Sequence, residues 1–384
     1  MFLFVPISYY FHQIHQMQIL KICQIPAPYK AILSISNDPD NTTIEIWNEL
    51  NNLIFNELNL NWANTIFPIN KNLNLPEQVS LQQYPEIANQ PTDSIHTWGD
   101  FVHSGEYGFT SKDAIQAVEL LNKFNIHPKI WVDHSRFLGN LLHGKVSLGG
   151  KEFHYDASGL KYKNLEYTAD LIHNLGIRYL WDGEITEIIG QDRKIKLKDI
   201  SIKKILKWEF NQENSILTPV EFEGFKFYKF KRYGQWRNAD IQGLSNVINP
   251  NFINELLHNG GISLVYTHLG KRNPQQTNKN HIPEETKKAL LQVSSLVQEK
   301  QILFAPISKI LDYVVLRDNI KIEMDCVYFK ADGIRFKNLL PPDLNGHSFS
   351  FTANSNNNIY IYIENNQIEP KSIDKNKKII TINF

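Results

Sequence analysis

The amino-acid sequence predicts an α/β protein: a (β/α) barrel with a small C-terminal antiparallel β appendage. Three observations point there. Short apolar runs alternate with amphipathic helical stretches across residues 30–319, polar residues collect where each apolar run stops, and from residue 320 the pattern changes to period-two alternation broken by Gly, Asn and Pro. Strands alternating with helices imply a largely parallel sheet, and this many βα units favour a barrel over an open doubly wound sheet.

Residues 1–29 precede the first unit. Their opening, "MFLFVPISYYFHQIHQMQIL", has no basic start and is broken by Pro6, His12, Gln13, His15 and Gln16, so it reads as an extension and not as a signal peptide or a membrane span. "KAILSIS" is the first strand, and it ends at Asn37-Asp38-Pro39-Asp40. In "NTTIEIWNELNNLIFNEL", Thr42 or Thr43 can cap a helix that buries Ile44, Trp47, Leu50 and Ile54.

"LNWANTIFPI" and "DSIHTW" read as strands, and "TSKDAIQAVELLNKF" as a helix with Thr110 and Asp113 in capping-box positions. "HPKIWVDHS" is a strand, "YTADLIHNLG" a helix stopped by Gly176, and "IRYLWDGEI" a strand. "NPNFINELLHNGG" and "ISLVYTHLG" repeat helix then strand, and "PEETKKALLQVSSLVQE", "ILFAP" and "ISKILDYVVLRD" close the series. Residues 320–384, with "IEMDCVYFKADGIRFKNL", "HSFSFTA", "NIYIYIENNQIEP" and "KIITINF", supply the β appendage.

Lys+Arg and Asp+Glu balance at 40 each, which argues against a nucleic-acid binder or a membrane-surface protein. Cys23 and Cys326 are the two cysteines, too few for a disulfide framework or a thiolate metal site, so a reducing, cytoplasmic setting is expected. "RKIKLKDISIKKILKW" reads as an exposed hairpin with a solvated basic face. "FKFYKFKRYGQWR" beside it adds Tyr228, Tyr233 and Trp236, rings of the kind that stack on sugars. Nothing in the sequence sets the oligomeric state.

Chemistry-bearing residues fall at the strand ends. Asp38, His96, Asp133, His134, Asp182 and His268 all lie at or just past the C-terminal end of an expected strand, the face where barrels place their sites. In "DSIHTWGDF", His96 and Asp100 are four apart and can share one cation if the backbone coils after the strand.

The order "SISND", "HTWGD", "WVDHS", "WDGE", "VYTHLG" resembles the polysaccharide deacetylase family, metal-dependent carbohydrate esterases of the NodB-homology type, in a divergent branch associated with surface-polysaccharide genes. The likeness covers roughly residues 31–317 and implies a distorted seven-stranded barrel, a carbohydrate substrate and a divalent metal, zinc above all. It implies Asp38, His96 and Asp100 as metal ligands, His268 as the catalytic acid and Asp182, next to Trp181, as the residue that orients it. Asn37 stands where the family has its base and cannot take a proton, so Asp40 or Asp133 must stand in. The family's Arg-x-Pro motif has no counterpart, and "DHS" occupies its region. His134, Trp98, Trp181 and Asn37 are then the expected substrate contacts. Two other readings compete: a glycan-binding barrel without hydrolysis, and a metal-free glycoside hydrolase using Asp133, Asp182 and Glu184.

Overall fold

The computed structural model describes residues 21–101, 104, 109–134, 145–148, 151–154, 168–193, 212–222, 224–271, 281–319, 321–327, 331–337, 348–352, 358–363, 366–374 and 379–383. Residues 1–20 of the expected extension and nearly all of the lysine-rich run at 193–208 lie outside them. The chain divides into two units, one over Lys30–Leu311 and one made from Met1–Tyr29 with Asp312–Phe384.

The larger unit is mixed α/β and holds two largely parallel sheets. Its strands are β1 (Ala31–Asn37), β2 (Asn64–Ile66), β3 (Thr92–His96), β4 (Ile130–Val132), β5 (Tyr179–Trp181), β6 (Leu217–Phe222), β7 (Phe225–Phe230), β8 (Arg232–Tyr233), β9 (Ile262–Thr267) and β10 (Ile302–Phe304). One sheet runs β6-β7-β5-β4-β3-β2, antiparallel only at the β6–β7 hairpin. The other places the short strand Ile185–Thr186 before β8-β9-β1-β10 and is parallel throughout. Among the described residues no ladder joins the two sheets into a closed ring.

Local sequence accounts for the elements. All seven residues of β1 are buried, as expected of a central parallel strand covered on both faces. Thr43 caps the helix Ile44–Asn51, its side chain accepting from Ile46 N–H. Thr110 and Asp113 form the expected capping box at the start of Ser111–Lys123, and Ala114, Ala117 and Leu121 line its buried face. That face packs in a core with Ile66, Ile95, Trp131 and Leu180. A second core joins Leu33, Ile35 and Val265 to Phe252 and Leu256 of helix Pro250–Asn259 and to Leu290 and Val293 of Glu284–Gln298. Each such fully buried side chain contributes about 1.5–3 kcal/mol, so the strand ends stand on a rigid floor.

Register fixes which ends meet. His96 and Trp181 both lie opposite Val132, while Asn37 lies opposite Thr267. The last residues of β3, β4 and β5 are therefore level in one sheet, and those of β1 and β9 in the other.

The smaller unit departs from the expected appendage in two ways. Lys21–Ile22, from the N-terminal extension, pairs antiparallel with Ser348–Thr352. Ala331–Lys337 pairs antiparallel with Lys321–Val327 but parallel with Asn358–Ile363.

Candidate metal centre

Asp38 and Asp40 leave the end of β1 two residues apart and take up different partners. Asp38 is 1% exposed and receives both of its short contacts from Nη1 of Arg232, at 2.8 Å to Oδ1 and 3.0 Å to Oδ2. Arg232 is equally buried, and its guanidinium lies 3.9 Å from the centre of the Trp181 ring. A planar cation stacked on indole and facing a carboxylate is held in one place.

Asp40 instead sits among imidazoles. His134 Nε2 is 2.9 Å from its Oδ1, and His96 Nε2 and His268 Nε2 are 3.5 and 3.4 Å from its Oδ2. Lys271 Nζ, on a half-exposed side chain, is 3.6 Å from Oδ1. Asp40, His96 and His134 each offer a ligand atom within 4.8 Å of the others, and all three residues are buried.

Two of the rings have their tautomers set by backbone. His96 Nδ1 is 3.1 Å from the Val132 carbonyl and His268 Nδ1 is 2.8 Å from that of Ala239. A carbonyl only accepts, so each Nδ1 carries the hydrogen and each neutral Nε2 presents a lone pair towards Asp40. Lone pairs facing a buried carboxylate oxygen that accepts no well-formed hydrogen bond call for a proton or a cation between them.

The titration behaviour has the same origin. Burial would raise the Asp40 carboxyl, but His134 and His268 beside it hold it well below the usual carboxylate range. Burial works against a charged His96, yet the carboxylates of Asp38 and Asp40 hold its imidazole above the ordinary value. His268 goes the other way, burial pushing it below. Two imidazoles and one carboxylate, with one imidazole braced through Nδ1, fit a divalent ion of the zinc class. A second group, Asp38, Asp40 and His268, also converges, but Arg232 already supplies a fixed positive charge at Asp38.

The arrangement differs from the expected one at several positions. Asp38, His96 and Asp100 do not form a convergent set among the described residues. The backbone does not coil after β3. Thr97 takes a positive φ of 49°, and Gly99–Asp100 pairs in parallel with Ile69–Asn70. Only glycine fits at 99, because a Cβ there would lie 2.2 Å from the Ile69 carbonyl oxygen. Asp100 Oδ2 consequently accepts from Asn72 Nδ2 at 2.9 Å and Gln78 Nε2 at 2.5 Å. His134, expected as a substrate contact, is instead the third member of the group that could hold a metal ion.

Asn37 Oδ1 accepts from Leu269 N–H at 2.6 Å and so ties the end of β1 to the turn after β9. Asp133 Oδ1 accepts from Trp131 Nε1 at 2.7 Å. Asp182 is paired with Lys229 at 3.0 Å, and the brace on His268 Nδ1 is the Ala239 carbonyl. Trp98 is fully buried against Trp131 and Phe109, with its Nε1 donating to Thr168 Oγ1, so it belongs to the core and not to a substrate surface. Trp181 is buried and faces Arg232.

Arg232 and Tyr266 are the residues that sequence reasoning missed. Tyr266 Oη is 3.2 Å from His268 Nε2, and burial pushes its hydroxyl far above the ordinary phenol value. Among the described residues no helix is long and apolar enough to cross a membrane. No protein-family model, no curated protein and no solved structure matches the chain.

Proposed function

We propose that this protein is a metal-dependent hydrolase that removes acetyl groups from a saccharide, with zinc held by Asp40, His96 and His134. The observation that carries the reading is the Asp40–His96–His134 convergence at the ends of parallel strands, with Asp38–Arg232 and His268 on its flank. Held by Asp40, His96 and His134, a divalent ion would supply an acidified water and polarisation of the acyl carbonyl.

The chain's own residues divide the proton work. Asp38 takes the proton of the attacking water, and Arg232 keeps that carboxylate oriented. His268, whose Nε2 is 3.9 Å from Asp38 Oδ2, receives that proton from Asp38 and passes it to the departing amine or alkoxide. Water's oxygen forms the new bond to the acyl carbon, the C–N or C–O bond breaks, and acetate leaves. Tyr266 holds His268 Nε2 until substrate displaces it.

This assignment moves the deacetylase resemblance along the acidic motif. The base and ligand aspartates become Asp38 and Asp40 with Pro39 between them, Asn37 needs no proton-accepting role, and Arg232 takes the place of the arginine that the sequence lacked near "DHS". The same reading takes the two parallel sheets as halves of one distorted (β/α) barrel with the site at its C-terminal face.

A second, metal-free reading is favoured by Lys271, whose amine could neutralise Asp40 from 3.6 Å. Metal analysis separates the two. Protein purified without chelator is expected to retain about one zinc per chain, and Asp40→Ala to lose it together with about a thousandfold or more of the turnover of an acetylated glucosamine oligomer. Turnover that survives both chelation and Asp40→Ala overturns the metal reading.

A further inference from the structure

We propose that Trp236, with the planar side chains around it, is a saccharide-stacking subsite beside the metal centre, and that the substrate is therefore an extended glycan whose neighbouring ring rests there. The inference deepens the deacetylase reading and rests on it for the identity of the reaction.

Trp236 is 56% exposed, whereas the other described tryptophans, Trp47, Trp62, Trp98, Trp131 and Trp181, are all buried. It opens the short turn Trp236–Asn238 just past β8, the strand that also supplies Arg232. Its ring meets the Tyr266 ring edge-on at 5.1 Å and lies 6.3 Å from that of Trp181. Tyr266 in turn contacts His268 through its hydroxyl. A solvent-facing indole thus stands one side chain away from the imidazole assigned to the leaving group, held in a set direction by two buried rings.

The residues that flank Trp236 in the chain are polar and planar. Gln235 Oε1 accepts from Arg237 Nε at 2.9 Å and from Asn238 Nδ2 at 3.3 Å, and Gln235 Nε2 donates to Glu187 Oε1 at 3.3 Å. Amide, guanidinium and carboxylate side chains, linked edge to edge, offer donors and acceptors in fixed directions. A pyranose has the complementary surface: one face of C–H groups, which suits the electron-rich face of an indole, and an equatorial rim of hydroxyls, which suits such planar groups. One exposed ring, with hydrogen-bonded polar residues on either side of it in the chain, is too small an apolar patch for a protein interface.

The test is a binding titration with a β-1,4-linked N-acetylglucosamine tetramer and with the monosaccharide, on wild type, Trp236→Ala and Trp236→Phe, following tryptophan fluorescence and heat. Zinc retention equal to wild type shows that each variant is folded. The tetramer is expected to bind wild type more tightly than the monosaccharide does. Trp236→Ala is expected to weaken the tetramer by about ten-fold, and Trp236→Phe to recover most of that loss. Equal affinity of wild type and Trp236→Ala for the tetramer, or no tetramer binding at all, overturns the proposal. If Trp236 governs tetramer binding but no acetate is released, the subsite stands and the deacetylase reading falls.

Discussion

The two parallel sheets arm the same site in different ways. The five-stranded sheet brings Asp38, Arg232 and His268 and matches its charge internally: a carboxylate and a guanidinium, each 1% exposed, face each other at 2.8 Å. The six-stranded sheet brings His96 and His134, and its own Lys229 is taken up by Asp182 and Glu184. Asp40, reaching over from the end of β1, meets only titratable rings there and the half-exposed amine of Lys271. Two aspartates separated by a single proline therefore differ in kind. One is paired with a buried guanidinium inside the protein, while the other is the carboxylate that, on our proposal, takes an ion from outside.

The harshest way to break that contrast is to remove the built-in cation. Arg232→Met leaves the Asp38 carboxylate buried and uncompensated and is expected to cost about 3–5 kcal/mol, read as a fall in the urea midpoint. Asp38→Leu combined with Arg232→Met should recover most of that loss, because an apolar pair of similar bulk replaces the ion pair. A single variant within about 0.5 kcal/mol of wild type would mean that the pair contributes no more than an exposed one.

A smaller effect sharpens the role of Asn37. Asn37→Ala deprives Leu269 N–H of its acceptor in a buried turn, and a buried donor left unmade costs about 1–3 kcal/mol. Stability should fall by that amount while zinc content stays at the wild-type level. Loss of zinc in this variant would show that the tie between β1 and the turn after β9 also sets the ligand geometry.

Much of the scaffold was legible because local signals agree with packing. The apolar runs ending at Asn37, His96, Val132, Trp181 and Thr267 are the strands whose ends surround the site, and the Thr110–Asp113 box starts its helix where the spacing placed it. The ligand set was less legible, because it depends on backbone direction after a strand has ended. Four-residue spacing brings His96 and Asp100 together only in a coil, and the Thr97–Gly99 turn converts it to a strand-like step that turns Asp100 to Asn72, Gln78 and the Nδ1 side of His134. Pro39 hides the pairing of Asp38 with Asp40 from a motif that expects adjacent aspartates. Arg232 lay within a run of four Lys and Arg residues, "KFYKFKR", where no local feature separates the one buried against Asp38 from Lys229 and Lys231, which pair with Asp182 and Glu184.

Asp100 gives the mildest test and the one aimed most directly at the ligand set. As a ligand it would be indispensable, and Asp100→Asn would empty the site of zinc. As the structure arranges it, Oδ2 anchors Asn72 and Gln78, holding the segment after β2 against the Gly99–Asp100 step. Asparagine preserves the shape and one acceptor oxygen but weakens two charge-assisted bonds, so the expected cost is about 1 kcal/mol, with zinc retained. His134→Ala, measured alongside, should lose the metal and the 4.0 Å approach of His134 Nδ1 to Asp100 Oδ1, while Asp100 Oδ2 keeps Asn72 and Gln78. The opposite pattern, zinc lost with Asp100→Asn and kept with His134→Ala, would return the ligand role to "HTWGD" and leave Asp40 as an ion-paired carboxylate, with Lys271 as its counter-charge.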